Sequence, residues 1–274
     1  MANPESASDI YEKRGLDPSL SLQIQEQLQR VTSATNRREA DELALIAITR
    51  LCDFLNHWNS AAHPDDRHVR EAVEGLGRQL DQALARTDLK DIAMLHYGNG
   101  FFHRTQGNHE QALAEFDEAW RLSVAADRPL PQALSQSGSE LVYLGEPLRA
   151  LRQFRRAIDH SARKMHVRGY CFWALGRCLN FLERHDEAIG WLRLSVETWD
   201  AVSYNRLYLA SSYEWADDHE TAVATLREVD ERFSRYTIRR VIKDEGTNPN
   251  RNPFVVAGRR RFHDGLLRAG MPEQ

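Results

Sequence analysis

The chain has few cysteines, few prolines and glycines, and no long apolar run. Its three cysteines, Cys52, Cys171 and Cys178, form no Cys-x-x-Cys pair, so we expect buried thiols in a reducing compartment. Nine prolines and 15 glycines in 274 residues argue against collagen and against a loop-dominated β-fold. No window of 18 apolar residues occurs, and no apolar signal segment opens the sequence. These absences predict a cytoplasmic protein without a membrane partner.

Neither sign of charge dominates the composition. The chain has 36 Lys and Arg against 40 Asp and Glu, a net charge of −4, with 42% hydrophobic and 28% charged residues. This balance is typical of a soluble globular chain that is long enough to bury a core without metals or disulfides. A chain so close to neutral is not expected, taken whole, to coat nucleic acid.

Four alanines recur with the same kinds of neighbours around them. A small residue lies 12 positions before each alanine, a bulky residue four positions after, and a small or β-branched residue seven after. Steps of three, four and seven are helical, and glycines between the two halves of a unit end helices readily. The pattern predicts two antiparallel helices per unit, A and B. The small residues lie where these two helices contact each other. The positions are Ala112, Ala150, Ala188 and Ala222, preceded by Gly100, Gly138, Gly176 and Ala210, and followed by Phe116, Phe154, Leu192 and Leu226, then Ala119, Ala157, Ser195 and Val229.

This spacing resembles the tetratricopeptide repeat family, whose pattern is Trp-x2-Leu-Gly-x2-Tyr, then Ala-x3-Phe, then Pro. Unit two fits it well, with Leu134, Gly138, Leu141, Gly145, Ala150, Phe154 and Ala157. Units three and four depart from it, with Glu183 and Asp217 in place of the turn glycine. The resemblance implies an all-α, right-handed α-solenoid of antiparallel helix pairs, with a degenerate N-terminal hairpin and a C-terminal capping helix.

The repeats divide the chain into four parts. Residues 1–18 are polar and are predicted to be disordered, and residues 19–92 are predicted to form degenerate N-terminal helices. Residues 93–235 hold the four units, at about 93–130, 131–168, 169–202 and 203–235. Residues 236–274 form a basic capping segment. The signature alanines lie 38, 38 and 34 residues apart, so we expect longer B helices or longer links after units one and two.

The end of the chain carries a second resemblance. The run from Gly265 to Glu273, GLLRAGMPE, is similar to the ends of the tetratricopeptide regions that follow the catalytic domain in bacterial class III adenylate and guanylate cyclases. Nothing in the sequence resembles that catalytic domain, so cyclase activity is not implied. The resemblance implies a sensory or scaffolding module.

Ligands of tetratricopeptide arrays usually lie in the concave groove lined by the A helices, so the family resemblance places a binding site there. The helix positions opposite the signature residues are rich in aromatic residues, with two arginines among them. Such side chains dominate the energetics of protein interfaces. We therefore predict a groove that binds a protein or peptide, with an acidic group or a free carboxylate held by arginine. Its predicted residues are Tyr97, Phe101, Arg104, Ser139, Tyr143, Tyr170, Trp173, Arg177, Asn180, Phe181, Tyr204 and Trp215. The alternative is that the chain folds back into this groove, or that the N-terminal helices fill it.

The sequence gives little indication of metal binding or catalysis. His109, His185 and His219 occupy one repeat position near the start of helix B, and no second histidine follows at metal-binding spacing, so neither a metal nor another cofactor is predicted. We find no catalytic constellation and predict a non-enzymatic adaptor or regulatory scaffold. One alternative is a nucleic-acid-associated regulator that uses the basic segment from Arg232 to Arg268, densest at Arg259, Arg260 and Arg261. The other is an enzyme whose site is dispersed over several helices.

Overall fold

The computed structural model describes residues 18–61, 67–161, 165–233, 235–245 and 250–274. Every regular element in these ranges is a helix, which agrees with the all-α prediction. The predicted disordered segment lies outside the described residues except for Pro18, which begins the first helix. The helices are α1 (Pro18–Ser33), α2 (Arg37–Ala61), α3 (Arg67–Ala85), α4 (Ala93–Thr105), α5 (His109–Ala125), α6 (Pro131–Tyr143), α7 (Pro147–His160), α8 (Met165–Phe181), α9 (His185–Thr198), α10 (Ser203–Trp215), α11 (His219–Arg232), α12 (Ile238–Asp244) and α13 (Pro253–Arg268).

The helices form two compact units, and the boundary falls between Ala133 and Leu134, within α6. In the N-terminal unit, α1 packs against both α2 and α3, and α4 packs against the same two helices. Its core is mainly aliphatic, and the fully buried Ile24, Leu28, Leu51 and Leu76 are among its members. The helix pair α4–α5 completes this unit.

The repeat signature marks the contact between the two helices of each pair. A Cβ atom added to Gly138 would lie 2.6 Å from the ring of Phe154, and one added to Gly176 would lie 2.5 Å from Leu192. The same holds in the N-terminal unit, where Gly100 faces Phe116 at 2.6 Å. All four signature alanines are fully buried. The predicted small-against-large packing of helices A and B is therefore present.

The turn inside each pair repeats as closely as the packing does. Gly107 and Gly145 adopt φ of 74° and 78°, and Glu183 and Asp217 adopt φ of 63° and 59° at the equivalent repeat position. These two residues, which depart from the family pattern, therefore take the left-handed conformation that glycine adopts without steric cost. The helix that follows begins at the same repeat position in every unit: His109, Pro147, His185 and His219.

The extra four residues between signature alanines are accommodated in two ways. In unit one, helix B (α5) has 17 residues, whereas α7, α9 and α11 each have 14. After unit two the additional turn belongs to the next A helix, since α8 has 17 residues and α4, α6 and α10 have 13. The expectation of a longer B helix or a longer link is therefore wrong for unit two.

The last helix, α13, packs against the A helices α10 and α8. On its packed face Phe262 and Leu266 are fully buried, whereas Phe254 is half-buried. Residues 246–249, which precede α13, lie outside the described residues. The chain end returns to α12, where Ile238 N donates to Pro272 O at 2.9 Å. The closing helix therefore covers part of the A-helix side of the C-terminal unit, on α8 and α10.

Substitution of two glycines tests whether the left-handed turn conformation requires glycine. A Cβ at either Gly107 or Gly190 would meet nothing within 4 Å, but Gly107 has a φ of 74° whereas Gly190 lies inside α9. We expect Gly107→Ala to lower the free energy of unfolding by about 1 kcal/mol because alanine is strained in the left-handed region. Gly190→Ala should raise it by about 0.5–1 kcal/mol through helix propensity. Urea titrations followed by far-UV circular dichroism measure both, and equal signs would contradict the argument.

Candidate functional site

The three predicted groove residues of the N-terminal unit pack onto its core. Phe101 is buried, and its ring lies edge-on to Tyr97 and Phe116 at centroid distances of 5.2 and 5.5 Å. The guanidinium of Arg104 lies 4.9 Å from the Phe101 ring centroid and 5.1 Å from that of Phe116. The prediction of an exposed aromatic face is therefore wrong for Phe101, because its ring fills the space beside the signature phenylalanine.

Two predicted groove residues of the C-terminal unit are interior polar groups. Asn180 is fully buried, and its Nδ2 donates to Ser212 Oγ at 2.9 Å. Ser139 is also buried, and its hydroxyl donates to Ser135 O at 3.2 Å, one helical turn earlier. Neither side chain is available to a ligand, so these two assignments are corrected. Buried polar groups need such partners, which explains their place in the helix contacts.

Three more predicted groove residues are covered by the chain's own C-terminal helices. A Cβ on Gly258 of α13 would lie 2.3 Å from the Phe181 ring, so glycine is required for this approach. Trp215 Nε1 donates to Arg261 O on α13 at 2.9 Å. Tyr204 donates through its hydroxyl to Val241 O on α12 at 3.3 Å. This part of the predicted groove is occupied by the chain itself.

The contact between α13 and α10 is built from aromatic stacking and small residues. Phe262 stacks on Tyr208 with ring centroids 3.8 Å apart and planes within 8°. A Cβ on Gly265 would lie 2.4 Å from Ser211 Oγ, so the helices touch there. The fold-back predicted from the sequence was general and was not assigned to α13. The sequence feature that could have indicated this contact is the pair Gly258 and Gly265. These glycines lie seven residues apart, on the helix face that carries Phe262.

Four predicted residues remain together on the A helices α6 and α8, and we call them the Arg177 cluster: Tyr143, Tyr170, Trp173 and Arg177. All four are half-buried. The Arg177 guanidinium lies 4.8 Å from the Trp173 ring centroid and 5.8 Å from that of Tyr143. The rings of Tyr170 and Trp173 lie 5.4 Å apart. The cluster is an arginine held among aromatic faces.

The charge of Arg177 has no carboxylate beside it within the described part of the chain. Burial opposes that charge, but the oxygens of Tyr143, Tyr208 and Tyr170 outweigh this effect and raise the pKa of Arg177 above its ordinary value. Among the described residues, neither Arg177 Nε nor Trp173 Nε1 has a hydrogen-bond acceptor, although both atoms are buried. Two N–H donors and a positive charge in one place can receive an anionic group.

The predicted basic patch is divided around α13. Arg261 donates from Nη1 to Phe181 O at 3.1 Å and forms an ion pair with Glu183, so it fastens α13 to the end of α8. Arg260 is exposed, and Arg259 is half-buried. Of the three arginines, Arg261 has a structural role.

The residues that suggested other chemistry lie in structural positions. His219 Nδ1 lies 2.8 Å from Glu214 Oε2, and His185 stacks on Trp215. In the described ranges, no group of three or more His, Cys, Asp or Glu residues lies close enough to hold a metal ion. Burial raises the pKa values of the Cys171 and Cys178 thiols to about 12, so neither is a thiolate at neutral pH. No helix in these ranges is both long and apolar enough for a bilayer crossing.

Comparison with known proteins gives the fold. The chain is 29% identical over 119 residues to the Photosystem I assembly protein Ycf3 of Parasynechococcus marenigrum (strain WH8102), covering 41% of this chain and 67% of that protein. A tetratricopeptide repeat protein from Parabacteroides merdae ATCC 43184 superposes with a TM-score of 0.51 at 11% identity, over 92% of each chain. A structure of MamA gives 0.50 at 16% identity, over 61% of this chain and 92% of that one. No family profile matches the chain. The fold is a tetratricopeptide-like α-solenoid, as the repeats predicted.

Overpacking of α13 tests its place on the A helices. Gly265→Val would drive a branched side chain into Ser211 and Trp215, so we expect a loss of about 1–3 kcal/mol in the free energy of unfolding. The control is Ala257→Val, which places valine at an exposed position of α13 and should cost about 0.7 kcal/mol or less, through helix propensity alone. Urea unfolding gives both values, and equal losses would show that α13 is not packed at Gly265.

The pH dependence of stability tests the link between α4 and α5. Burial alone would lower the pKa of His96, but hydrogen bonds from its ring to Glu115 (2.6 Å) and Lys90 O (2.7 Å) outweigh burial and raise that pKa. The stabilisation is therefore fully present below the unfolded-state pKa and is lost as pH rises through the folded-state pKa. We expect wild type to lose more stability than Glu115→Gln between pH about 5.5 and 8.5 in urea titrations. Parallel profiles would contradict this.

Proposed function

We propose that the chain is a non-catalytic, cytoplasmic adaptor that binds a segment of a partner protein at the Arg177 cluster. The observation that carries the proposal is the guanidinium of Arg177, held between Trp173 and Tyr143 with no carboxylate beside it among the described residues. The tyrosine oxygens around Arg177 favour its charged form, so the guanidinium stays a cation although it is largely enclosed. An anionic partner would supply the carboxylate that the described residues do not place beside it.

The geometry favours an extended or helical peptide with one acidic group. Aromatic faces beside an arginine provide a large apolar contact area and an ionic anchor at the same point, which is the composition of interface hot spots. A side-chain carboxylate or a chain terminus could accept from Arg177 and Trp173 Nε1 after a small side-chain movement. Arg104 belongs to the other unit, so the proposal does not use it.

The comparisons support the class of function. The relative from Parasynechococcus marenigrum is named as an assembly protein, and adaptor activity in this chain would be compatible with such a role. The likeness of residues 265–273 to the tails of class III cyclases stays a prediction, and a regulatory role would be compatible with adaptor activity. Arg261 already binds Phe181 O and Glu183, which reduces the support for a nucleic-acid site on α13.

A peptide-binding experiment tests the proposal. The wild-type protein is screened against an immobilised peptide library with free C termini, and hits are titrated by calorimetry. Trp173→Ala combined with Arg177→Glu should weaken binding by about 10- to 100-fold, the value of one charge-assisted hydrogen bond. Amidation of the peptide C terminus separates a terminal carboxylate from an acidic side chain.

The matched control is the same pair of substitutions on a B helix. Trp191→Ala with Arg193→Glu changes a half-buried tryptophan and an exposed arginine of α9, outside the Arg177 cluster. Both double variants are checked by circular dichroism and thermal unfolding before binding is measured. If the control loses as much affinity as the Trp173/Arg177 variant, or if neither loses any, the Arg177 cluster is not the binding site.

A further inference from the structure

One exposed helix face carries a charge that the repeat architecture does not require. Residues 149–168 contain seven Lys and Arg and a single carboxylate, Asp159. This gives the stretch a net charge of +6 in a chain whose total is −4, so the other residues together carry −10. The stretch begins inside α7, the B helix of unit two. The basic patch predicted from the sequence lies in the C-terminal segment and does not include this stretch.

The arginines of α7 lie opposite its packed face. The buried positions of this helix are Ala150, Leu151, Phe154 and Ala157, all of them apolar. The exposed positions include four arginines and one leucine, which we call the α7 arginine face: Leu148, Arg149, Arg152, Arg155 and Arg156. Positions three and four apart share a helix side, so the arginines line about 10 Å of the axis.

Only part of this charge is compensated within the protein. Arg149 forms an ion pair with Glu146, and Arg156 donates to Gln153 Oε1 at 2.7 Å. Arg152 and Arg155 have no ion pair or hydrogen bond with any described residue. Like charges three or four positions apart destabilise a helix. Repulsion between these arginines therefore lowers the stability of α7.

The equivalent helices show that packing does not demand arginine at these positions. Arg152 corresponds to Gly190 in α9 and Ala224 in α11, and Arg156 corresponds to Leu194 and Glu228. Only the position of Arg155 is also arginine in both, as Arg193 and Arg227. The same helix pair forms with mixed or neutral residues, so the run of arginines belongs to α7 alone among these three helices.

We propose that the α7 arginine face is a docking surface for an acidic protein segment, separate from the Arg177 cluster. Arginine pairs with carboxylates in a bidentate way, and Leu148, which is 62% exposed, offers an apolar contact beside Arg152. The fitting partner is a short segment with several carboxylates and a neighbouring hydrophobic residue. A nucleic acid fits less well, since the face holds no aromatic side chain for base stacking and a long polyanion would meet the acidic remainder.

Charge reversal with a matched control tests this surface. The probe is a fluorescein-labelled hexaglutamate peptide with a leucine at one end, titrated by anisotropy at low and high salt. Arg152→Glu with Arg155→Glu should weaken binding at low salt by about tenfold or more. Arg193→Glu with Arg227→Glu makes the same change in net charge on α9 and α11 and should leave binding within about threefold of wild type.

Three results would overturn the proposal. The first is equal loss in both double variants, which would indicate an effect of net charge alone. The second is loss in Arg259→Glu with Arg260→Glu while the α7 variant binds normally, which would place the site on α13. The third is tighter, α7-dependent binding of a short DNA duplex or of phosphatidylserine vesicles than of the peptide. Because the Arg177 cluster could also bind an acidic peptide, Arg152→Glu with Arg155→Glu is also titrated in the Trp173→Ala/Arg177→Glu background. The same loss of probe binding is expected there, so failure of the α7 arginine face is distinguishable from failure of the Arg177 cluster.

Discussion

The structure depends on how closely the two helices of each pair approach. Gly138 faces Phe154 and Gly176 faces Leu192, and in both contacts an added methyl group would overlap the larger side chain. Close packing of a small residue against a large one fixes the rotation of each helix about its axis. Once the rotation is fixed, the positions that point away from the partner helix are fixed as well. The face that carries Trp173 and Arg177 exists because Gly176 and Ala174 lie on the inner side of α8.

The closing helix changes what that face can do. A tetratricopeptide-like unit leaves its A helices open on one side, and here α13 lies against α8 and α10. Phe262, Leu266 and Val255 are fully buried by this arrangement, so α13 contributes to the core of its unit. Burial of three large apolar side chains favours the docked position by several kcal/mol, at about 1.5–3 kcal/mol each. A ligand of the C-terminal unit therefore meets the α6–α8 part of the face, where the Arg177 cluster lies.

Two kinds of arginine are distinguished by their surroundings. Arg206 is almost fully buried and is compensated by Asp200 and Glu228, and Arg261 is compensated by Glu183. These residues hold the fold together. Arg177, and Arg152 with Arg155 on α7, lack a carboxylate partner among the described residues. Charge that the fold does not neutralise is available to a second molecule, which is why both proposals rest on these positions.

The sequence by itself determined the repeat, its register and its turns. Helical periodicity and the small-to-large pattern are local, so the starts of the B helices and the contact residues could be predicted from spacing alone. Even the departures at Glu183 and Asp217 left the turn unchanged, because the flanking helices impose the left-handed conformation. Only the tertiary structure decided which predicted groove residues are open. Gly265 meets Ser211, and Gly258 meets Phe181, across long stretches of chain without any repeating spacing. Nothing local marks such a contact, because the stabilisation comes from apolar area buried between distant segments and not from the periodicity of either one.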